Sequence, residues 1–99
     1  MRVVFANRKL QRLAKDLSYT WKYSREVASS YRLRVQMLES AQDVRDIPDL
    51  KSIHLEKLKG GRSHQWSMRL TGPWRLIARF VYSGRTRVAV MIEIVDYHR

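Results

Sequence analysis

An α+β fold is predicted by a change of hydrophobic period part-way along the chain. Up to about residue 40, apolar residues recur every three or four positions; from Gln65 onward they alternate. Turn residues at 71–73 (TGP) and 83–85 (SGR) then cut the alternating stretch into three strands, which reads as an antiparallel meander. With 99 residues, the chain is expected to form one domain, 1–99.

The elements follow in order. RVVFA, residues 2–6, reads as a short strand. Asn7 is a candidate helix N-cap, followed by Leu10, Leu13 and Leu17 at helical spacing. Ser24 is a second candidate cap, with Glu26 where a helix first turn favours a carboxylate. Val27, Tyr31, Val35 and Leu38 then mark one face of a longer helix. These stripes read as core. DVRDIPDL, residues 43–50, breaks the pattern, and Pro48 turns Ile47 away from helix.

In the meander, Trp66, Met68 and Leu70 share a parity with Trp74, Leu76, Ala78, Phe80 and Tyr82, and with Val88, Val90, Ile92 and Ile94. Keeping this even set together requires two three-residue loops, pairing Leu70 with Trp74 and Phe80 with Val88. The helices are expected to cover the even face. On the odd face Arg69 then lies opposite Arg75, and Arg75 opposite Glu93. Two facing arginines repel. Either Glu93 satisfies both, or Arg69 and Arg75 form an anion site.

The charge is unevenly spread. Twenty Lys+Arg face nine Asp+Glu, for a net charge of +11 and a pI of about 10.7. Residues 1–35 hold nine basic and two acidic residues, and residues 62–99 hold seven basic and two acidic; all seven are Arg. The nearly neutral belt at 36–61 separates two basic surfaces. Arg offers a planar fork to phosphate oxygens, so a polyanion, most simply nucleic acid, is the expected partner. The absence of cysteine excludes disulfides and thiol catalysis and fits a reducing cytoplasm. No apolar run approaches the ~20 residues of a membrane helix, and the run in MRVVFANRK is short for a secretory signal.

HLEKLKGG, residues 54–61, brings His54, Lys57 and Lys59 ahead of a glycine pair, and Lys59 before Gly60 is placed to be held in a turn. His54, His64 and His98 match no compact metal-ligand spacing, so neither metal nor cofactor is expected. The chain ends on EIVDYHR, with Asp96, Tyr97, His98 and Arg99 at its last positions. A cationic face with a terminal Tyr-His suits RNA cleavage. RNA carries its own nucleophile, the 2′-hydroxyl; imidazole transfers protons near neutrality, and Lys and Arg stabilise the charge gathering on phosphorus.

LEKLKG (55–60), QWSMRL (65–70), WRLIARF (74–80) and EIVDYH (93–98), in that order, resemble the RelE/HigB toxins, and HigB most closely. The resemblance runs from about Ala41 to Arg99. It implies a RelE-like microbial-RNase fold and a ribosome-dependent mRNA interferase that cleaves message in the ribosomal A site. It also implies a small antitoxin of helix-turn-helix type, with operator DNA bound only through the antitoxin complex. Lys59 matches the basic residue of the family's LKG motif, Arg75 the arginine after the hairpin tryptophan, and Tyr97 and His98 the terminal pair. His98 is then the expected general acid or base and Tyr97 a stacking or proton-transfer residue. Lys59, Arg69 and Arg75 are expected on phosphate, Arg79, Lys57 and His54 on RNA more broadly, and Asp96 in an orienting role. Two departures stand out: some HigB proteins place a histidine three residues before the LKG lysine, where this chain has Glu56, and TGP replaces a polar hairpin loop. A non-catalytic RNA- or ribosome-binding module explains the charge but not the Tyr-His end. A DNA-binding autoregulator lacks a short helix–turn–helix pattern.

This charge distribution predicts salt-sensitive ribosome binding. If ~5 phosphates are neutralised, at roughly −0.7 per contact, log K falls by about 3.5 per decade of salt. Titrations at several salt concentrations check this; affinity that stays flat contradicts a basic docking surface.

Overall fold

The computed structural model describes residues 1–43, 53–62 and 64–96. Strand β1 (Arg2–Phe5) leads into helix α1 (Arg8–Lys15), and helix α2 (Arg25–Ser40) follows. Both predicted caps form: Leu10 N–H donates to Asn7 Oδ1 at 2.9 Å, and Val27 N–H to Ser24 Oγ at 3.2 Å. A short edge strand, β2 (Glu56–Lys57), and a 3₁₀ turn (Gly60–Arg62) precede the meander of β3 (Gln65–Arg69), β4 (Trp74–Ser83) and β5 (Thr86–Asp96). The meander is the centre of a larger sheet of order β1-β5-β4-β3-β2, in which β1 runs parallel to β5 and the other neighbours are antiparallel. Most of the predicted segment 43–50 lies outside the described residues, as do Tyr97, His98 and Arg99.

The helices pack on one face of the sheet. Leu10, Leu13, Val27, Tyr31, Val35 and Leu38 meet Met68, Leu70, Leu76 and Ala78 in one buried cluster. Leu17 departs from the expected core stripe: α1 ends at Lys15, so Leu17 leaves the helical register and is 79% exposed. A second departure concerns β5. The 71–73 loop has its expected three residues, closed by Leu70 N–H to Trp74 O at 2.9 Å, and Arg69 does face Arg75. The second turn has only two, Gly84 and Arg85, between the paired Ser83 and Thr86. Gly84 takes φ 63, the left-handed position that such a hairpin turn gives to glycine. One residue fewer in the loop inverts the parity of β5, so Phe80 pairs with Ala89 instead of Val88. Ala89 and Met91 join the helix-side cluster in place of Val88 and Val90, although Val88 is still buried outside that cluster. A β-bulge then restores the parity: Ala78 pairs with Met91 but Ile77 with Glu93, leaving Ile92 as the inserted residue. Beyond it Ile94 faces the core as expected, and Arg75 lies opposite Val95, not Glu93.

Two buried polar side chains tie the helices together. Tyr31 is fully buried and its hydroxyl donates to Leu10 O at 2.9 Å; burial pushes its ionisation well above the ordinary tyrosine value. Arg32, only 9% exposed, donates from Nε to Leu13 O (2.8 Å) and from Nη2 to Asp16 O (3.0 Å) and Tyr19 O (2.7 Å). It thereby takes up Leu13 O, which the last turn of α1 leaves without a helical partner, together with the carbonyls of Asp16 and Tyr19 in the connection that follows.

Replacing Arg32 with Met keeps the apolar stem but strands those carbonyls, and is expected to cost about 3 kcal/mol of unfolding free energy; Tyr31→Phe loses one neutral hydrogen bond, about 1 kcal/mol. Urea unfolding checks both. Equal costs would show that the guanidinium is not the main tie.

Candidate RNA-cleaving face

The sheet face away from the helices carries the candidate site. Alternation places Gln65, Ser67 and Arg69 of β3 on it together with Arg75, Ile77 and Arg79 of β4. The face is partly closed: Ser67 is 1% exposed and Ile77 fully buried, outside the helix-side cluster.

Arg75 is the best-fixed cation on this face. Its Nε donates to Ser67 Oγ at 2.7 Å, and its Nη2 to His54 O at 2.7 Å. The second contact needs an unusual backbone. His54 adopts φ 48, left-handed and uncommon for a residue with a side chain, just before β2. Both acceptors are neutral oxygens, so they orient the guanidinium without cancelling its charge. They also answer the question raised by the facing arginines. Arg75 is drawn toward Ser67 and His54, and Glu93 sits opposite Ile77. Arg69 is exposed, while its carbonyl accepts from Arg34 Nε at 3.0 Å.

The other expected residues are distributed as follows. Asp96 pairs with Trp74, one position along the strand from the Arg75–Val95 pair, so alternation sets it on the helix-side face with Trp74, while the Arg75 guanidinium reaches the other way, to Ser67 and His54. Tyr97 and His98 lie outside the described residues. Lys59 is exposed directly before Gly60, whose φ of 71 makes the turn expected there, and Leu58 N–H donates to Gln65 O at 2.9 Å to hold this segment to β3. Arg79 is exposed four residues along β4 from Arg75, roughly 13 Å at ~3.3 Å per residue. With Gly61, His64 and Gln65 it lines a small cleft of about 200 Å³. Lys57 is not brought to the arginines. It pairs with Trp66, which pairs with Ala78, so it belongs to the helix-side face. The side chain of His54 is exposed; its carbonyl makes the contact to Arg75.

Sequence reasoning missed Ser67 as the holder of Arg75, although its parity already put it on the arginine face. It also missed SYTWKYS, residues 18–24, where aromatics occupy every second position. Trp21, Tyr23 and Trp74 form a ladder of edge-on rings with centroids 5.4 and 5.5 Å apart. The Tyr23 hydroxyl donates to Ile94 O at 3.4 Å. Burial, and then the nearby charge of Glu93, raise its ionisation, which keeps it a neutral donor at physiological pH.

No curated protein matches the chain in sequence. Among solved structures, a YoeB/ParE toxin from Agrobacterium tumefaciens is similar, with a TM-score of 0.61 and 16% identity, over 99% of this chain and 100% of that one. At that identity the likeness is one of fold. A family model described as the RelE-like toxin of type II toxin–antitoxin system HigB matches residues 3–98, extending the likeness through β1 and both helices. With the mixed sheet, the two helices on one face and the arginines on the other, this match establishes that the chain belongs to the HigB-like toxins, RelE-like toxins of type II toxin–antitoxin systems.

Proposed function

We propose that this toxin is a ribosome-dependent endoribonuclease that cuts mRNA in the A site through attack of the RNA 2′-hydroxyl on the adjacent phosphate, thereby stopping translation in the cytoplasm. A type II toxin has a cognate antitoxin; here a small helix-turn-helix protein of the HigA type is the proposed partner. The observation that carries the reading is the fixed Arg75. A guanidinium already oriented by Ser67 and His54 needs no rearrangement to meet charge developing on a phosphate, and such preorganisation is where electrostatic catalysis gains most. Arg69 across the strand supplies a second cation; Lys59, in a segment held to β3 at Gln65 opposite Arg79, is proposed to meet phosphate at the other end of the face.

In this mechanism the 2′-oxygen forms a bond to phosphorus as the bond to the 5′-oxygen breaks. One base removes the 2′ proton and one acid protonates the leaving 5′-oxygen. His98 takes one of these roles, Tyr97 stacks on a base or assists proton transfer, and Asp96 orients His98. The products are a 2′,3′-cyclic phosphate, or the 3′-phosphate formed by its hydrolysis, and a 5′-hydroxyl. Arg79 contacts RNA further along the face.

His98→Ala is expected to slow cleavage of ribosome-bound message by roughly 10²–10⁴-fold with ribosome affinity nearly unchanged. Primer extension with end-group analysis, alongside ribosome binding and thermal melting, measures this. Wild-type rates in the variant, or 5′-phosphate ends in the wild type, count against the mechanism, and retained binding without any cleavage favours a binding module.

Arg75 separates charge from geometry. Arg75→Ala is expected to lose about 10²–10³-fold in cleavage rate. Arg75→Lys keeps the charge but has no fork with which to reach Ser67 and His54 together, and should fall between Ala and wild type. If Lys restores the full rate, the orientation of the guanidinium is irrelevant and only its charge matters.

A further inference from the structure

We propose that the cleft beside Trp21 is a nucleotide subsite separate from the arginine face: it takes one unstacked RNA base against Trp21 and Tyr23, with the flanking phosphates on Lys9 and Lys22. The proposal rests on the RNA reading above and adds to it a second contact on a different part of the molecule.

The cleft lies between the α1–α2 connection and the part of β5 that follows the bulge. Trp21, Lys22, Tyr23, Glu93 and Ile94 line it, and it measures about 280 Å³. This is just below the roughly 300–1,000 Å³ typical of sites for drug-sized ligands, and suits one ring system with its charged groups left outside. β1 pairs with β5 only as far as Met91, so the cleft sits where the outer edge of β5 is no longer covered by that strand.

Three observations give the site its chemistry. First, Trp21 holds φ 54, a conformation that a bulky residue adopts only under strain, and such strain collects at binding sites. The residue packs against the helix-side core but is only partly buried, so part of it stays open to the cleft. Second, the ammonium groups of Lys9 and Lys22 stand 5.2 and 4.8 Å from the Trp21 ring centre. Two cations on one ring disfavour a cationic guest and favour an anionic one. Both lysines are exposed, and their flexible stems let the ammonium groups swing from ring to phosphate. Third, Glu93 lines the cleft, so phosphate is repelled from the interior while the rings accept a base; this sets base inward and phosphate outward. A planar group joined to an anion is a nucleotide, and stacking on aromatics beside basic residues is how single strands are held. The ring ladder from Trp21 through Tyr23 to Trp74, which pairs with Asp96, makes the cleft continuous with the end of β5.

The test uses the full chain and a fluorescently labelled 2′-O-methyl RNA hexanucleotide, which lacks the nucleophile and is not cut, with binding read by anisotropy. Trp21→Gly is the leading variant because glycine accepts the left-handed backbone without penalty. It is expected to weaken binding roughly 5- to 150-fold, the loss of one base stack, while Trp21→Phe retains most of the affinity. The double variant Lys9→Glu/Lys22→Glu should weaken binding and flatten its salt slope by about 1.4, or two contacts at ~0.7 each. Melting curves accompany each variant, and if Trp21→Gly unfolds, the lysine double variant decides. Binding equal to wild type in the folded variants overturns the proposal. The source of the base follows from ribosome binding with and without message in the A site. A loss on vacant ribosomes assigns a ribosomal RNA base and a loss only with message assigns an mRNA base; either supports the subsite. Because hexanucleotide binding needs no cleavage, a chain that binds through Trp21 but never cuts refutes the endoribonuclease alone. A chain that cuts but binds without Trp21 and the lysines refutes the subsite alone.

Discussion

One inserted residue in β5 governs where everything else on the sheet can be. β5 is hydrogen-bonded on both sides, to β1 and to β4, and up to Met91 both partners hold it in register. Where β1 stops, Ile92 bulges and the strand changes faces. Without that step, Ile94 would leave the core and Asp96 would shift by one position against the 71–73 hairpin. The bulge therefore reconciles two stretches of a single strand: Ala89 and Met91 seat the helices before it, and Ile94 does so after it, although the pairing with β4 has shifted by one residue.

The positive charge of the chain is divided by use. Arg32 is internal: its guanidinium is spent on carbonyls of the last turn of α1 and of the connection after it, and it belongs to the stability of the helix pair. Arg75 is half-internal, fixed at two points yet on the face where RNA is proposed to lie. Lys9 and Lys22 are external and loosely held over aromatic rings. A net charge of +11 thus overstates the surface available to a polyanion. The gradation runs from a buried fork that holds the fold, through a guanidinium fixed at two points, to exposed ammonium groups over aromatic rings.

The fold was legible where a local rule decides. Asn7 and Ser24 cap their helices because their side-chain oxygens reach free amides, and the stripe from Val27 to Leu38 is buried because 3.6-residue periodicity leaves no other face. The Arg69–Arg75 pairing followed from parity and a three-residue loop. Parity failed at Val88 and Val90 because it presumes a strand without a bulge and a turn of assumed length, neither of which alternation can reveal. The parallel β1–β5 pairing was equally hidden, since a strand's sequence does not name its neighbour. At the site, the cations were visible as residue types. What fixes Arg75 was not, because one of its two acceptors is a backbone carbonyl, and every residue has one.

That last contact has a consequence for how freely position 54 can vary. Arg75 depends on where the carbonyl of residue 54 points, and that is set by the left-handed backbone there, not by imidazole. Asn, Asp and Gly tolerate this backbone at least as well as His. A lineage could therefore exchange the histidine for any of them, altering what the exposed side chain presents to solvent while the guanidinium stays in place. β-branched residues are the ones closed to it, since they would pull the backbone out of that region and release the arginine with it.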